Sequence, residues 1–422
     1  MVTQSLDYDV IVIGGGPSGT TAATLIAQAG HRVILFERDR FPRFHIGESL
    51  IPQTYYVLER LKMLPKMQQS HFVRKYSVQF VNQRGRLSEP FYFCDHRNQP
   101  SSQTWQVRRS EFDHLMLRNA AEQGVEVHEE SRVHDVLFEG DRAVGVSVTL
   151  PGENAPRNVR ARVIVDASGQ AALLQGKFGL REWDPVLRKA ALWTYWKGAH
   201  RDAGRDDGAT IVLQTQDKKG WFWYIPLHDD IVSVGVVADH EYLFQNRGTS
   251  DFEEIYFQEV DRCPGLQPRI ANATRCDQFR VQKEYTYRSR QASGNGWVVV
   301  GDAFGFLDPL YSAGVLLALT SGQRAADAIN DGLETGDLSQ SQLGRWEKDF
   351  IAGMERMRRL VCEFYDGFSF GRFVRKHPGM KDLLTDVLIG DVFKEEVDQL
   401  WPLMDELRAE ISPKTPASVT AQ

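Results

Sequence analysis

The stretch that most limits how this chain can fold is Tyr8-Asp9-Val10-Ile11-Val12-Ile13-Gly14-Gly15-Gly16-Pro17-Ser18-Gly19, read as strand, glycine turn and helix start. The β-branched run suits a strand buried on both faces of a parallel sheet. Gly14 permits the tight turn, Gly16 lets the backbone approach a pyrophosphate, and Gly19 allows the helix to pack closely on the strand. The phosphates would rest on the helix N-terminus. An Ala-rich helix over 20–29 follows, then a second strand over 32–36 closed by Glu37. An acidic residue about 20 positions beyond the glycines is placed to hold a ribose hydroxyl. The unit reads as a dinucleotide-binding domain of α/β, Rossmann type.

Two later strands end in similar turns, Asp166-Ala167-Ser168-Gly169 and Gly301-Asp302-Ala303. Between them, from about 183 to 288, long alternating strands replace the α/β pattern. One is Gly220-Trp221-Phe222-Trp223-Tyr224-Ile225-Pro226, where the strand period places Trp221 and Trp223 on one face and Phe222 and Tyr224 on the other. At 422 residues the chain can hold two or three cores. The expected division is a cofactor domain over 1–182 and 289–335, interleaved with strands of a second layer. A β-rich substrate-covering domain over 183–288, a helical region over 336–411 and a disordered tail over 412–422 complete it.

Other segments carry candidate chemistry. The loop over 41–52 holds the polar pair Glu48-Ser49 and leads into a helix near 53–61, and residues 71–80 read as one alternating strand containing Arg74-Lys75. Ser110 reads as the N-cap and Asp113 as the N3 residue of a helix just after Arg109. Pro309 stops regular structure, and Ser312-Ala313-Gly314 begins a helix whose free N–H groups suit an anion or a carbonyl oxygen. Beyond 340 the chain reads as charged helices over 346–364 and 379–407.

A net charge of −6 and a pI near 6.0 argue against nucleic-acid binding. The four cysteines lack metal-ligand spacing, so no metal site is expected. Apolar runs far shorter than the ~20 residues of a spanning helix, and a start without the features of a signal peptide, point to a cytoplasmic protein without membrane partners. The basic residues Arg356, Arg358, Arg359, Arg372, Arg375 and Lys376 read as a solvated helix face, with docking of an acidic carrier as the alternative.

The three glycine and aspartate turns together resemble the FAD-containing aromatic hydroxylase superfamily. Two further motifs, Trp221-x-Trp223-x-Ile225-Pro226 and Phe306-x-x-Pro309-x-x-Ser312-x-Gly314, resemble the signatures of flavin-dependent halogenases. The resemblance covers about residues 8–330 and implies FAD, used as FADH2, with O2 and chloride or bromide as cosubstrates. It assigns Gly14, Gly16, Pro17, Ser18, Gly19, Glu37, Arg43, Gly47, Glu48, Ser49, Arg109, Asp302, Pro309, Gly314 and Val315 to the cofactor. Ser312, Ala313 and Gly314 fall at the halide, and Lys75 falls where the family keeps the lysine that hydrogen-bonds hypohalous acid or carries it as a haloamine. Trp221, Trp223, Ile225, Pro226 and Tyr311 would partition flavin from substrate. Tyr311 stands where free-tryptophan enzymes carry Glu, which points to a phenolic or pyrrolic substrate, free or tethered to a carrier protein. With one dinucleotide motif in the chain, a separate NADH-dependent flavin reductase is the expected source of FADH2. Competing readings are a related FAD monooxygenase, a geranylgeranyl-reductase-like enzyme, and a non-halogenating flavoprotein that acts in protein maturation.

Overall fold

Parallel strands in the order Trp297–Val299, Arg157–Asp166, Tyr8–Ile13, Val33–Phe36 and Glu126–His128 form the body of the first sheet in a computed structural model of the chain. The structure describes residues 6–283 and 285–411, so the expected tail over 412–422 lies outside the described residues. Val10 pairs with Val163 on one side and Val33 on the other, and Val10, Ile11 and Val12 are fully buried. That burial is why this run carries no polar alternation. Helix Pro17–Gln28 packs against the long helix Gly314–Thr335.

A second sheet runs Thr274–Arg275, Lys189–Lys197, Ile231–Asp239, Gly220–Pro226, Thr210–Gln214, Ser77–Val81 and Phe91–Tyr92. It draws strands from the first hundred residues as well as from 183–288. Residues 71–80, expected as one strand, are two: Val73–Lys75 pairs with Thr104–Gln106, whereas Ser77–Val81 joins the second sheet beside Thr210–Gln214. Partners in different sheets force the break at Tyr76. The helix expected over 379–407 is also divided, into Lys381–Ile389 and Leu400–Ile411, with Gly390 at φ +94° ending the first half. Among the described residues no helix is long and apolar enough to cross a membrane.

Gly220–Pro226 sits inside the second sheet with every residue buried. Its two faces part as the strand period expects. Trp221, Trp223 and Ile225 join the core shared with the first sheet, and Phe222 and Tyr224 join a second core with Ile255, Tyr256 and Val260 of helix Phe252–Asp261. Trp223 lies opposite Gly235, where a Cβ would fall 2.2 Å from Trp223 Cζ2 and 2.5 Å from Trp193 Cβ. The indole thus occupies the space that a side chain at 235 would need.

Gly235→Ala should therefore cost about 1–3 kcal/mol through overpacking. Urea denaturation of the cofactor-free protein reads this as a lower midpoint, and an unchanged midpoint would show that Trp223 does not hold this position.

Candidate active site

A cavity of about 650 Å³ runs from the end of the second parallel strand, at Phe36, Glu37 and Arg38, past the glycine turn to Trp221, Trp223 and Phe306. It lies at the carboxyl ends of the parallel strands, where open α/β sheets place ligands. At the glycine turn the chain's own geometry separates three roles. Gly14 has φ +106° and a Cβ there would meet Ala167 O at 2.3 Å, while one on Gly19 would meet Gly14 O at 2.0 Å. Gly16 differs: a Cβ there meets protein only at Arg43 Nη2, 3.6 Å away, so its bare backbone faces the cavity. Gly15 N donates to Glu37 Oε2 at 2.7 Å and Asp39 N to Glu37 Oε1 at 2.8 Å, which fixes the carboxylate on the cavity edge. An elongated groove with a bare glycine beside a helix start, an acidic residue at one end and indoles at the other fits FAD.

Most residues assigned from the sequence line this cavity: Gly14, Gly16, Pro17, Ser18, Glu37, Arg43, Gly47, Glu48, Ser49, Arg109, Asp302, Pro309, Ser312, Gly314 and Val315, with Trp221, Trp223 and Ile225. Gly19, Lys75, Pro226, Tyr311 and Ala313 are not part of its lining. Lys75 lies one hydroxyl away. Its Nζ donates to Ser49 Oγ at 2.8 Å and to Leu50 O at 3.0 Å, and Ser49 Oγ is also 2.8 Å from Thr210 Oγ1. Gln106 Nε2 donates to the same Thr210 oxygen at 2.8 Å. Lys75 is fully buried, and burial lowers its amine to a pKa of about 7. Tyr311 is buried too, and its phenol is held protonated by that burial and by the nearby Asp308.

The loop over 41–52 is held from several sides. Glu48 is buried and accepts from Tyr195 OH at 2.6 Å; burial raises its carboxyl, with that hydrogen bond opposing. Arg109 Nη1 donates to Ile46 O at 2.6 Å, and its Nε and Nη2 grip the two oxygens of Asp113 at 2.8 and 3.0 Å. Arg43 Nη1 reaches the same carboxylate at 3.0 Å. Burial alone would raise Asp113, but Arg109 and then Arg43 outweigh it and hold the carboxyl below its ordinary range. The capping expectation is corrected here: the helix begins at Arg109, Arg108 is its N-cap residue without a side-chain cap, and Asp113 is a buried ion-pair partner instead.

Sequence reasoning missed Asp113 in this role, although its i, i+4 spacing from Arg109 is the pattern of a helical ion pair. It also missed Tyr195 and Tyr365. Trp221 Nε1 donates to Tyr365 OH at 2.9 Å, and Tyr365 OH donates to Asp308 Oδ2 at 2.9 Å. Tyr365 ends helix Glu347–Tyr365, so the C-terminal region anchors the indole wall to the Phe306–Gly314 turn. Four of the six residues of the basic cluster are ion-paired within the chain, Arg356 with Asp398, Arg358 with Asp184, Arg359 with Asp405 and Lys376 with Glu410, whereas Arg372 and Arg375 are exposed.

A family model, "Tryptophan halogenase", matches residues 9–105 and 83–369. A 1H-pyrrole-2-carbonyl-[peptidyl-carrier protein] chlorinase of Pseudomonas fluorescens is 29% identical, covering 96% of this chain and 94% of that protein. A tryptophan 2-halogenase of Chondromyces crocatus is 32% identical, over 85% of this chain and 67% of that protein. Among solved structures, the flavin-dependent brominase Bmp2 superposes with a TM-score of 0.84 at 29% identity, covering 96% of this chain and 99% of that chain.

Asp302, at the cavity, gives a test by pH. Burial pushes its carboxyl up to about 6, with Arg109 opposing. Between the ordinary carboxylate range and pH 6 the unfolded chain releases this proton while the folded chain keeps it, so the cofactor-free protein loses stability as pH rises through that window. Asp302→Asn removes the loss. Its melting temperature relative to wild type should climb from pH 4 to pH 6 and then level off, while FAD affinity falls; a difference that stays flat with pH would contradict the assignment.

Proposed function

The chain belongs to the tryptophan halogenase family of flavin-dependent halogenases, and from that premise we propose that it delivers a halogen through Lys75 to a pyrrole ring tethered to a carrier protein. Bound FAD, as FADH2 with O2 and chloride or bromide, supplies hypohalous acid. The chain's own residues then position, separate and deliver. Ser312, at φ +56°, turns the backbone so that helix Gly314–Thr335 opens toward the cavity. Its first N–H groups have no helical partner, and this end of the 22-residue helix favours a halide near Ala313 and Gly314.

Trp221 and Trp223 form the wall that keeps an aromatic substrate off the flavin, with Ile225 and Pro226 continuing it and Tyr311 bounding the substrate side. Lys75 stands beyond Ser49. An ammonium has three N–H donors, and Ser49 Oγ and Leu50 O take two of them. The third is left to hold the hypohalous oxygen. When a ring carbon takes the halogen, the oxygen–halogen bond breaks and the oxygen leaves as water with a proton from Lys75. The proton lost from the ring restores the ammonium. An amine poised near neutral pH suits both transfers.

The observation that carries this reading is the burial of Lys75 against neutral acceptors at the edge of a flavin-shaped cavity. For the substrate, support comes from the chlorinase, which matches nearly end to end. A tyrosine at 311 in place of a carboxylate favours a ring that needs no further activation over a free indole. Ion pairs within the chain engage Arg356, Arg358 and Arg359, so these three give no support to docking of the carrier. A separate NADH-dependent flavin reductase fits the presence of one dinucleotide motif.

Lys75→Met keeps the packed stem and removes the amine. It should retain FAD binding and FADH2 oxidation while brominated product falls by at least about 100-fold. Mass spectrometry of a reductase-coupled reaction measures this, and full product yield from the variant would remove Lys75 from the chemistry.

A further inference from the structure

Away from the cavity, two histidines and a glutamate from distant parts of the chain converge. His71 lies just before strand Val73–Lys75, Glu111 is in the first turn of helix Arg109–Glu122, and His228 follows strand Gly220–Pro226. His71 Nε2 is 2.9 Å from Glu111 Oε2, and His228 Nε2 is 3.1 Å from Glu111 Oε1. One donor atom from each of the three lies within 4.8 Å of the others. The two imidazoles meet edge to face, with centroids 4.3 Å apart. His228 is 7% exposed and its Nδ1 is buried with no partner, whereas His71 is 68% exposed, so the cluster is rigid on one side and open to solvent on the other.

We propose that His71, Glu111 and His228 form a binding site for a divalent transition cation of the zinc class. Two imidazoles and one carboxylate are a donor set zinc accepts, with a fourth position for water or a further ligand. Bonds of about 2.0–2.2 Å put neighbouring donors roughly 3.3 Å apart, close to the two His–Glu separations, with the remaining donor pair within 4.8 Å. Asp229 Oδ2, 3.6 Å from His228 Nε2 on an exposed turn, is within reach of that fourth position. None of the three lines the FAD cavity. The cation would instead clamp the segments that carry Lys75, Arg109 and the indole wall. The lack of metal-ligand spacing in the sequence does not bear on this set, because its members come together only in the fold.

One neighbour opposes the cation. Arg108 Nη1 is 3.2 Å from Glu111 Oε1 and Nη2 is 3.4 Å from Asp229 Oδ2, so it must swing aside for the metal to bind. This gives the proposal variants of opposite sign. Full-length protein stripped with chelator and titrated with ZnCl2 in a calorimeter should show a site that His71→Ala or Glu111→Gln weakens at least ten-fold and Arg108→Ala tightens. Co2+ added in place of zinc should give a d–d spectrum without the thiolate charge-transfer band that the free cysteines would produce. Zinc should also raise the melting temperature of wild type and leave that of His71→Ala unmoved. His71 is exposed, and unchanged FAD binding by that variant verifies its fold. Equal zinc affinity in wild type and His71→Ala, a thiolate spectrum with cobalt, or no binding by wild type would each overturn the proposal, leaving a hydrogen-bonded His–Glu–His cluster.

Discussion

An amine taken wholly out of water without a counter-ion is the constraint on which the active region rests. Moving a lysine out of water disfavours its charged form. Among the described residues, no carboxylate lies within ion-pair distance of Lys75; its Nζ meets a serine hydroxyl and a backbone carbonyl. A lysine held only by packing would gain from an aspartate there, or from replacement by methionine. One kept buried, neutral-partnered and titrating near pH 7 has the properties of a proton donor used in chemistry.

The surrounding architecture holds that amine still. Both of its acceptors belong to the loop over 41–52. That loop is fixed by Arg109 through two of its carbonyls, by Tyr195 through Glu48 and by Thr210 through Ser49. Arg109 is itself fixed by Asp113, a fully buried carboxylate shared with Arg43. Removing one partner from such a buried group leaves a charge unpaired, so the three residues form a single cooperative support. On the far side, the chain Trp221–Tyr365–Asp308 joins the wall strand, the C-terminal helix and the turn before Gly314. These two contacts, unlike the Arg109–Asp113 pair within one helix, join elements far apart in the chain, which places them beyond the reach of any one segment's sequence.

That distinction sets what could be read from the sequence. The glycine turn, the two faces of Gly220–Pro226 and the helix that begins at Gly314 were legible because each is settled by local chemistry: a missing Cβ, a period of two, a proline stop. Trp223 needed only Gly235 opposite it to lie as expected. What was not legible depends on contacts between distant residues. Tyr365 is 144 positions from Trp221, and Tyr195 is 147 from Glu48. The alternation over 71–80 concealed a change of partner at Tyr76, because side-chain period does not reveal which sheet a strand joins. Asp113 sat at a spacing that fitted a cap equally well, and burial decided for the ion pair.

In the proposed mechanism the oxidising halogen stays inside the protein and leaves only by way of Lys75. Competition during turnover with bromide separates confinement from release. A large excess of a diffusible, readily brominated phenol is added while bromination of the carrier-tethered pyrrole is followed by intact-protein mass spectrometry. With the oxidant confined, pyrrole bromination should proceed at an unchanged rate while the bulk phenol stays unbrominated. Bromination of the phenol at the expense of the pyrrole would show that the oxidant escapes to solvent and that the wall and the buried lysine do not confine it.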